Sequence, residues 1–191
     1  MLGAITRWLF KIWGWQVVGP VPHTTPKAIW VVAPHTTNWD FPIGLGIRPT
    51  VHIWIEFTAK KELFTPAIGW LFRALGGHPV ERSRNTNFVD AVIETFNRTD
   101  RLHVCVAPEG TRTNVKKLKT GFYYIALKSG VPLILTGFDW PRKLVVLSQP
   151  LFVTGDYERD MLPFYQFFSQ VQGKKKDWLL DWERTGVIEK P

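Results

Sequence analysis

An apolar run followed at once by a polar corner is the feature that most constrains how this chain can fold. Residues 28–32, Ala-Ile-Trp-Val-Val, have the length and composition of a buried strand. His35 follows just past the strand end, and Asp40 comes five residues later, in the first turn of a helix that Thr37 or Asn38 is predicted to cap. Because such a corner lies at the carboxyl edge of a sheet, where α/β proteins bind ligands, we expect a functional site here.

The two ionisable residues of this corner suggest a histidine base that is oriented by a carboxylate. A neutral imidazole can remove a proton from a hydroxyl group, and a carboxylate on its other nitrogen fixes the tautomer. The spacing of five residues does not stack two side chains on one helix face, so His35 has to precede the helix that contains Asp40. The alternative is a capping carboxylate that happens to follow a loop histidine.

Strand-like and helix-like segments alternate along the rest of the chain. This alternation predicts an α/β fold with a mostly parallel central sheet flanked by helices. Strands are predicted at 51–58, 102–107, 133–137 and 144–147, and helices at 41–47, 66–75, 121–128 and after Asn85 or Thr86.

The first segment, residues 2–18, is predicted to be an N-terminal amphipathic helix. Its apolar residues recur at helical spacing. It is too short and too interrupted by charge to cross a bilayer, and no cleavage site follows it. We expect residues 1–18 to lie in a membrane interface and residues 19–191 to form a single domain, the alternative being a terminal helix packed on that domain. The apolar positions are Ile5, Trp8, Leu9, Ile12 and Trp13.

The net charge and the aromatic content indicate which classes of partner the protein can bind. The formal net charge is +8, and the chain contains ten Trp and thirteen Phe. These features fit an anionic membrane surface, and they also fit nucleic acid, where aromatic rings stack on bases. One cysteine, Cys105, excludes an internal disulfide and is predicted to be a buried structural thiol. No metal site is predicted, because the other histidines lack the spacing of metal ligands.

Four short blocks, in order, resemble the glycerophospholipid acyltransferases. The first is His-Thr-Thr-Asn-Trp-Asp at 35–40, and the second is Gly-His-Pro-Val-Glu-Arg at 77–82. Pro-Glu-Gly-Thr-Arg at 108–112 and Val-Pro-Leu at 131–133 resemble the third and fourth blocks. The lysine segment at 59–63 also resembles one that this family carries between its first two blocks. One block alone is a weak signal, whereas four in order are a strong one.

The resemblance implies transfer of an acyl group from a thioester to a hydroxyl of a glycerol-phosphate-like lipid. The donor is then acyl-CoA or acyl-acyl-carrier protein, the acceptor is a membrane lipid, and no metal or cofactor is implied. His35 becomes the general base and Asp40 the residue that orients it. The implied substrate-binding residues fall into two groups: Lys60, Arg82 and Arg112 bind the acceptor phosphate, and Glu109, Gly110 and Thr111 shape the acceptor site.

Physical chemistry supports these implied roles. A histidine can deprotonate the acceptor alcohol as it attacks the thioester, so no protein nucleophile is required, and no Gly-x-Ser-x-Gly elbow is present. Arginine suits phosphate because its planar fork offers paired donors. Glu109 either fixes the fork of Arg112 for that purpose or forms a structural ion pair with it. Glu81 stands where the family usually has an apolar residue, and a carboxylate there favours a less anionic acceptor.

Two other functions compete with the enzyme. The first is a non-enzymatic protein that binds or tethers lipid on an acyltransferase scaffold. The second is nucleic-acid binding, which rests on charge and aromatic content alone. We favour the acyltransferase, located peripherally on the cytoplasmic face of a membrane and without a nucleic-acid partner.

Overall fold

The computed structural model describes residues 2–80, 85–112, 115 and 117–175. Within these described residues, seven strands form one sheet. They are β1 (Gln16–Val18), β2 (Lys27–Ala33), β3 (Glu56–Lys60), β4 (Gly77–Val80), β5 (Leu102–Val106), β6 (Leu133–Asp139) and β7 (Leu144–Leu147). The helices are α1 (Leu2–Ile12), α2 (Asp40–Val51), α3 (Gly69–Ala74), α4 (Asn85–Arg98), α5 (Gly121–Ser129) and α6 (Tyr157–Phe168), with a 3₁₀ turn at Lys61–Leu63.

The sheet is mostly parallel, as the alternation of elements predicts. Its strand order is β1-β7-β6-β2-β5-β3-β4. The neighbours from β6 to β4 all pair in parallel, whereas β7 is antiparallel to β6 and β1 follows the direction of β7. The carboxyl ends of β2, β3, β4, β5 and β6 therefore lie at one edge, and the loops that follow these strands share that edge.

Strand β2 is buried on both faces and divides the core. Successive side chains of a strand point to opposite sides. Ile29, Val31 and Ala33 accordingly join the cluster that includes α4, α5 and α6, while Trp30 and Val32 join the cluster that includes α1 and α2. A continuous apolar run is the expected pattern for such a doubly covered strand.

Several predicted boundaries are wrong, and each error has a local cause. Helix α1 ends at Ile12 instead of residue 18, because residues 16–18 pair with β7. Helix α2 continues through Pro49 to Val51, so the strand predicted from 51 begins only at Glu56. One apolar side of α2, including Ile47 and Val51, is buried in the core, and this packing outweighs the helix-breaking tendency of Pro49.

The predicted cap of α2 is also wrong. The residue at the N-cap position is Trp39, and it makes no side-chain capping bond. The hydroxyl oxygen of Thr37 instead accepts a hydrogen bond from the backbone N–H of Trp39, and Asn38 is exposed. The side chain of Asp40 instead fixes the loop before the helix, because it accepts hydrogen bonds from the backbone N–H groups of Thr36 and Thr37.

A second buried carboxylate, Asp160, ties α6 to α5 and to the loop before α6. It accepts hydrogen bonds from the Tyr123 hydroxyl, from the backbone and hydroxyl of Thr154, and from the backbone of Gly155. Burial alone would raise the pKa of Asp160, but these hydrogen bonds together hold that pKa below its ordinary value. The carboxylate therefore stabilises the fold in its charged form.

Replacing Asp160 with alanine should lower the free energy of unfolding by about 2 kcal/mol, because buried donors lose their acceptor. In the parent, the stabilisation by Asp160 is present above the ordinary aspartate pKa and is lost as pH falls through its lowered folded-state pKa. Urea unfolding at neutral and acidic pH measures both effects. Asp90→Ala, at an exposed position of α4, is the control. Equal unfolding midpoints for the two variants would contradict this account.

Candidate active site

The first predicted pair of site residues is in contact. The Nδ1 atom of His35 lies 3.0 Å from Oδ2 of Asp40. The same oxygen accepts hydrogen bonds from the backbone N–H groups of Thr36 at 2.8 Å and Thr37 at 3.0 Å. Asp40 is buried, with 2% of its surface exposed, while the imidazole keeps 20%. The spacing of five residues works as predicted, because His35 precedes α2 and Asp40 is its first residue.

This contact defines which nitrogen of the ring can do chemistry. An ionised carboxylate can only accept hydrogen bonds, so the proton of a neutral imidazole belongs on Nδ1, facing Asp40. The lone pair of Nε2, on the other side of the ring, is then the one available to accept a proton. The backbone donors hold the carboxylate in place, so the orientation of His35 is fixed before any ligand binds.

Trp140 completes the surroundings of Asp40, and sequence reasoning missed it. Its indole Nε1–H donates to Oδ1 of Asp40 at 3.0 Å, so both carboxylate oxygens are engaged. Trp140 directly follows β6, the strand beside β2. The rings of Trp140 and Trp15 are nearly perpendicular, with their centroids 5.2 Å apart. The Nζ atom of Lys174 lies 4.7 Å from the centroid of the Trp140 ring. The available signal was its position: a tryptophan at the carboxyl end of a parallel strand.

Trp140→Phe removes the indole donor and keeps an aromatic ring. Because a hydrogen bond to a charged group contributes more than 1 kcal/mol, we expect kcat to fall about tenfold, which equals about 1.4 kcal/mol of barrier. KM for both substrates should stay within about twofold, because the substitution keeps an aromatic ring at position 140. Steady-state kinetics give this split. Trp54→Phe, an exposed tryptophan before β3, is the control, and a similar loss in both variants would remove the role of Trp140.

Glu109 links the third block to the first. It follows β5, and its Oε1 accepts a hydrogen bond from the backbone N–H of His35 at 2.7 Å. Only 1% of its surface is exposed. Neither sequence-based interpretation, a partner that fixes the fork of Arg112 or a structural ion pair, anticipated this contact. Through this hydrogen bond, the buried carboxylate of Glu109 holds the backbone of His35 in place.

Gly110 occupies a conformation that favours glycine. Its φ is +63°, and a Cβ built there would lie 2.9 Å from the side chain of Lys119. The backbone conformation therefore favours glycine, whereas the exposed end of the Lys119 side chain could move aside for a Cβ. The turn aims the following residues away from β5, and Thr111 is half-buried whereas Arg112 is exposed.

The remaining predicted residues follow neighbouring strands at the same edge. Lys60 is the last residue of β3, is exposed, and pairs with Val80 at the end of β4. Arg82, predicted to bind phosphate, lies outside the described residues. Strands β2, β5 and β3 are adjacent and parallel. His35, the loop from Glu109 to Arg112, and Lys60 therefore all lie at the carboxyl edge of the sheet. The structure thus groups these residues at the edge predicted for a site, without testing their roles.

The described residues also bear on three other features: a thiol nucleophile, a metal centre and a membrane-spanning helix. Burial raises the pKa of the Cys105 thiol to about 12, which disfavours the thiolate form that a nucleophile needs. Across the part of the chain that the structure describes, His, Cys, Asp and Glu side chains form no cluster able to hold a metal ion. None of the helices within those residues has the length and apolar character needed to cross a membrane.

The structure places a histidine in contact with a buried carboxylate at the carboxyl edge of a mostly parallel α/β sheet, the edge at which proteins of this class bind ligands. The chain belongs to the acyltransferase family, whose model matches residues 16–136. That span contains all eight residues predicted for catalysis or substrate binding. The family predicted from the four blocks is confirmed, and with it the assignment as an enzyme of acyl transfer.

Individual relatives carry a more specific name. The chain is 26% identical over 183 residues to the 1-acyl-sn-glycerol-3-phosphate acyltransferase of Haemophilus influenzae, covering 83% of this chain and 74% of that protein. It is 30% identical over 110 residues to the Escherichia coli protein of the same name, covering 54% of this chain. The match spans 43% of the Escherichia coli protein, less than half its length. No solved structure is significantly similar to the chain.

Proposed function

We propose that this protein transfers a fatty acyl group from a thioester to the free hydroxyl of a lysophosphatidate-like lipid. The observation that carries the proposal is the buried Asp40 in contact with Nδ1 of His35, at the sheet edge where Lys60 and the third block also lie. The relatives named 1-acyl-sn-glycerol-3-phosphate acyltransferases supply the acceptor class. The donor is acyl-CoA or acyl-acyl-carrier protein, since either presents the same thioester.

The proposed reaction needs one base and no covalent enzyme intermediate. Nε2 of His35 takes the hydroxyl proton as the acceptor oxygen attacks the thioester carbonyl. Asp40 stabilises the imidazolium that forms. The new C–O bond gives a tetrahedral intermediate, the C–S bond then breaks, and the imidazolium returns its proton to the leaving thiolate. We assign the oxyanion donors to backbone amides around Gly110, where the backbone turns sharply.

Cationic side chains at the same edge are proposed to bind the acceptor phosphate. Lys60 and Arg112 are both exposed, so each can reach a lipid headgroup, and Arg82 is proposed as their partner from the second block. Gly110 and Thr111 shape the acceptor site beside them. Glu109 acts on the other side of the same loop, by holding the backbone of His35.

Arg112→Ala should raise KM for a phosphorylated acceptor about tenfold or more, because a charge-assisted hydrogen bond contributes about 1.5–3 kcal/mol. We expect kcat to change little, since the phosphate is bound equally in ground and transition states. Acceptor saturation curves at fixed donor measure both constants. Arg101→Ala is the matched control, because Arg101 is exposed next to the opposite end of β5. An unchanged acceptor KM in Arg112→Ala would remove this role.

The N-terminal helix is proposed to hold the protein peripherally on an anionic membrane surface. Phe10 of α1 is buried against the domain, whereas Ile5, Trp8 and Ile12 are more than half exposed. The helix therefore packs on the domain and still presents an apolar stripe, with Arg7 and Lys11 beside it. We place the protein on the cytoplasmic face, where thioester donors are available.

An acceptor panel tests the proposed function. Purified protein is mixed with acyl-CoA or acyl-acyl-carrier protein and with lysophosphatidate, glycerol 3-phosphate, or a neutral monoacylglycerol. Thiol release and mass spectrometry of the lipid product are followed together. We expect phosphatidate from lysophosphatidate, the acceptor class in the relatives' name, at the highest rate. A higher rate with the neutral monoacylglycerol would instead support the less anionic acceptor that Glu81 favours. Vesicle binding without thiol release from any pair would instead favour the tethering protein.

A further inference from the structure

A second exposed apolar surface lies at the same edge as the site, on the opposite side of α2 from α1. We call it the α3 patch. Four large apolar side chains form it, and their exposed fractions range from 39% to 65%. They lie between β3 and β4, on the 3₁₀ turn, at the N-cap of α3 and on α3 itself, and are Leu63, Ile68, Trp70 and Leu71. Clusters of exposed apolar side chains on a folded protein commonly mark an interaction surface.

Helix α3 packs on the rest of the domain through Gly69 and Phe72. The ring of Phe72 lies 5.8 Å from that of Phe64 and 6.0 Å from that of Phe41, the residue after Asp40. Gly69 is buried so tightly that a Cβ there would lie 2.7 Å from the backbone of Phe64. The segment is thus fixed to the start of α2, and the exposure of Trp70 and Leu71 is a property of its outer face.

The charge around the α3 patch bears on the kind of surface that it fits. Among the described residues of this segment, 60–73, Lys60, Lys61 and Arg73 are exposed, against one acidic residue, Glu62. Exposed tryptophan together with lysine and arginine is the composition that binds the headgroup region of an anionic bilayer. A protein partner of mainly apolar character would not require this excess of positive charge.

The topology sets the α3 patch on the same side of the sheet as α1. The connections from β2 to β3 and from β3 to β4 both advance toward the β4 edge, so right-handed crossovers put α2 and α3 on one face. Helix α1 packs on that face too, since Phe10 would meet any Cβ added at Gly46 of α2. Two apolar segments therefore flank α2, whose first residue is Asp40.

We propose that the α3 patch is a second membrane-contact element, which enters the headgroup region of an anionic bilayer together with α1. This inference rests on the proposed membrane function and extends it, because one helix alone leaves the orientation of the site free. Two contacts on either side of α2 hold the carboxyl edge of the sheet against the bilayer. The lipid acceptor then reaches His35 from the membrane between α1 and the α3 patch.

Vesicle flotation tests the proposal. The double variant Ile68→Ser with Trp70→Ser is compared with the parent on phosphatidylcholine vesicles with and without phosphatidylglycerol. We expect at least tenfold weaker binding to the anionic vesicles. Phe152→Ser is the matched control, because Phe152 is 61% exposed and follows Leu151, which bridges the first residue of β6 at the opposite edge. Trp70→Ser alone, checked by thermal unfolding, replaces the double variant if that variant does not fold.

Further arms separate this proposal from the proposed function. Trp8→Ser on α1 tests the first contact by itself, and transfer between water-soluble short-chain substrates tests the chemistry without a membrane. We expect the double variant to keep that soluble activity. Flotation equal to the parent would overturn the α3 patch proposal whatever the activity. Monomerisation of a dimeric parent by the same substitutions, seen by sedimentation, would overturn it in favour of a contact between two copies.

Discussion

His35→Ala is expected to lower kcat for acyl transfer by about 10²- to 10⁴-fold, which is the usual contribution of a positioned general base. The imidazole touches Asp40 and is partly exposed, so its removal leaves the fold intact. KM for both substrates should change little, because His35 is proposed to act on the hydroxyl proton and not on the phosphate or the acyl chain. Initial rates of thiol release, together with mass spectrometry of the lipid, measure the loss.

His23→Ala is the control for this substitution. His23 is exposed and precedes β2, so it lies next to the amino end of the strand that carries His35 at its other end. A stable, correctly folded His35→Ala protein with parental turnover would remove the imidazole from the mechanism. Equal losses in both variants would point to a general effect of removing histidine.

Asp40→Asn is expected to cost about 10²- to 10⁴-fold in kcat, by analogy with the loss of the acid in a Ser-His-Asp triad. The amide has nearly the same shape, but it carries no charge to stabilise the imidazolium. It also brings an NH₂ group where the carboxylate accepts hydrogen bonds on both oxygens, from Thr36 and Thr37 on one and from Trp140 on the other. Whichever way the amide is oriented, one set of donors loses its acceptor.

A double-variant comparison distinguishes this role from a structural one. If Asp40 acts through His35, then Asp40→Asn should cause little further loss in the His35→Ala background. If Asp40 only stabilises the loop, the losses in the two variants should add. Thermal unfolding of each variant shows whether the loss of buried hydrogen bonds has affected the fold itself. Additive losses would contradict the assigned role.

The parts of the fold that follow from local patterns could be predicted. The apolar run at 28–32 gave β2, and the alternation of elements gave the α/β class, because both depend on side-chain period and segment length. The geometry of His35 and Asp40 also follows locally, from a loop and a helix start only five residues apart. Boundaries were less predictable, as α2 shows by running through Pro49 under the influence of core packing.

Contacts between distant parts of the chain could not be predicted in the same way. Trp140 reaches Asp40 across 100 positions, and Glu109 reaches the backbone of His35 across 74. Only the strand order, with β2 between β6 and β5, brings these residues together. A sequence gives the carboxyl end of each strand, but the pairing of strands decides which of those ends are neighbours.

The most direct test of direct transfer is the intact mass of the protein after mixing with the acyl thioester, first alone and then with lysophosphatidate. An imidazole that activates the acceptor itself leaves the protein unmodified in both mixtures, and the acylated lipid forms only in the second. We therefore predict an unchanged protein mass with the donor alone and a new phosphatidate once the acceptor is added. A protein that gains the mass of one acyl group from the donor and loses it on addition of the acceptor would contradict the account.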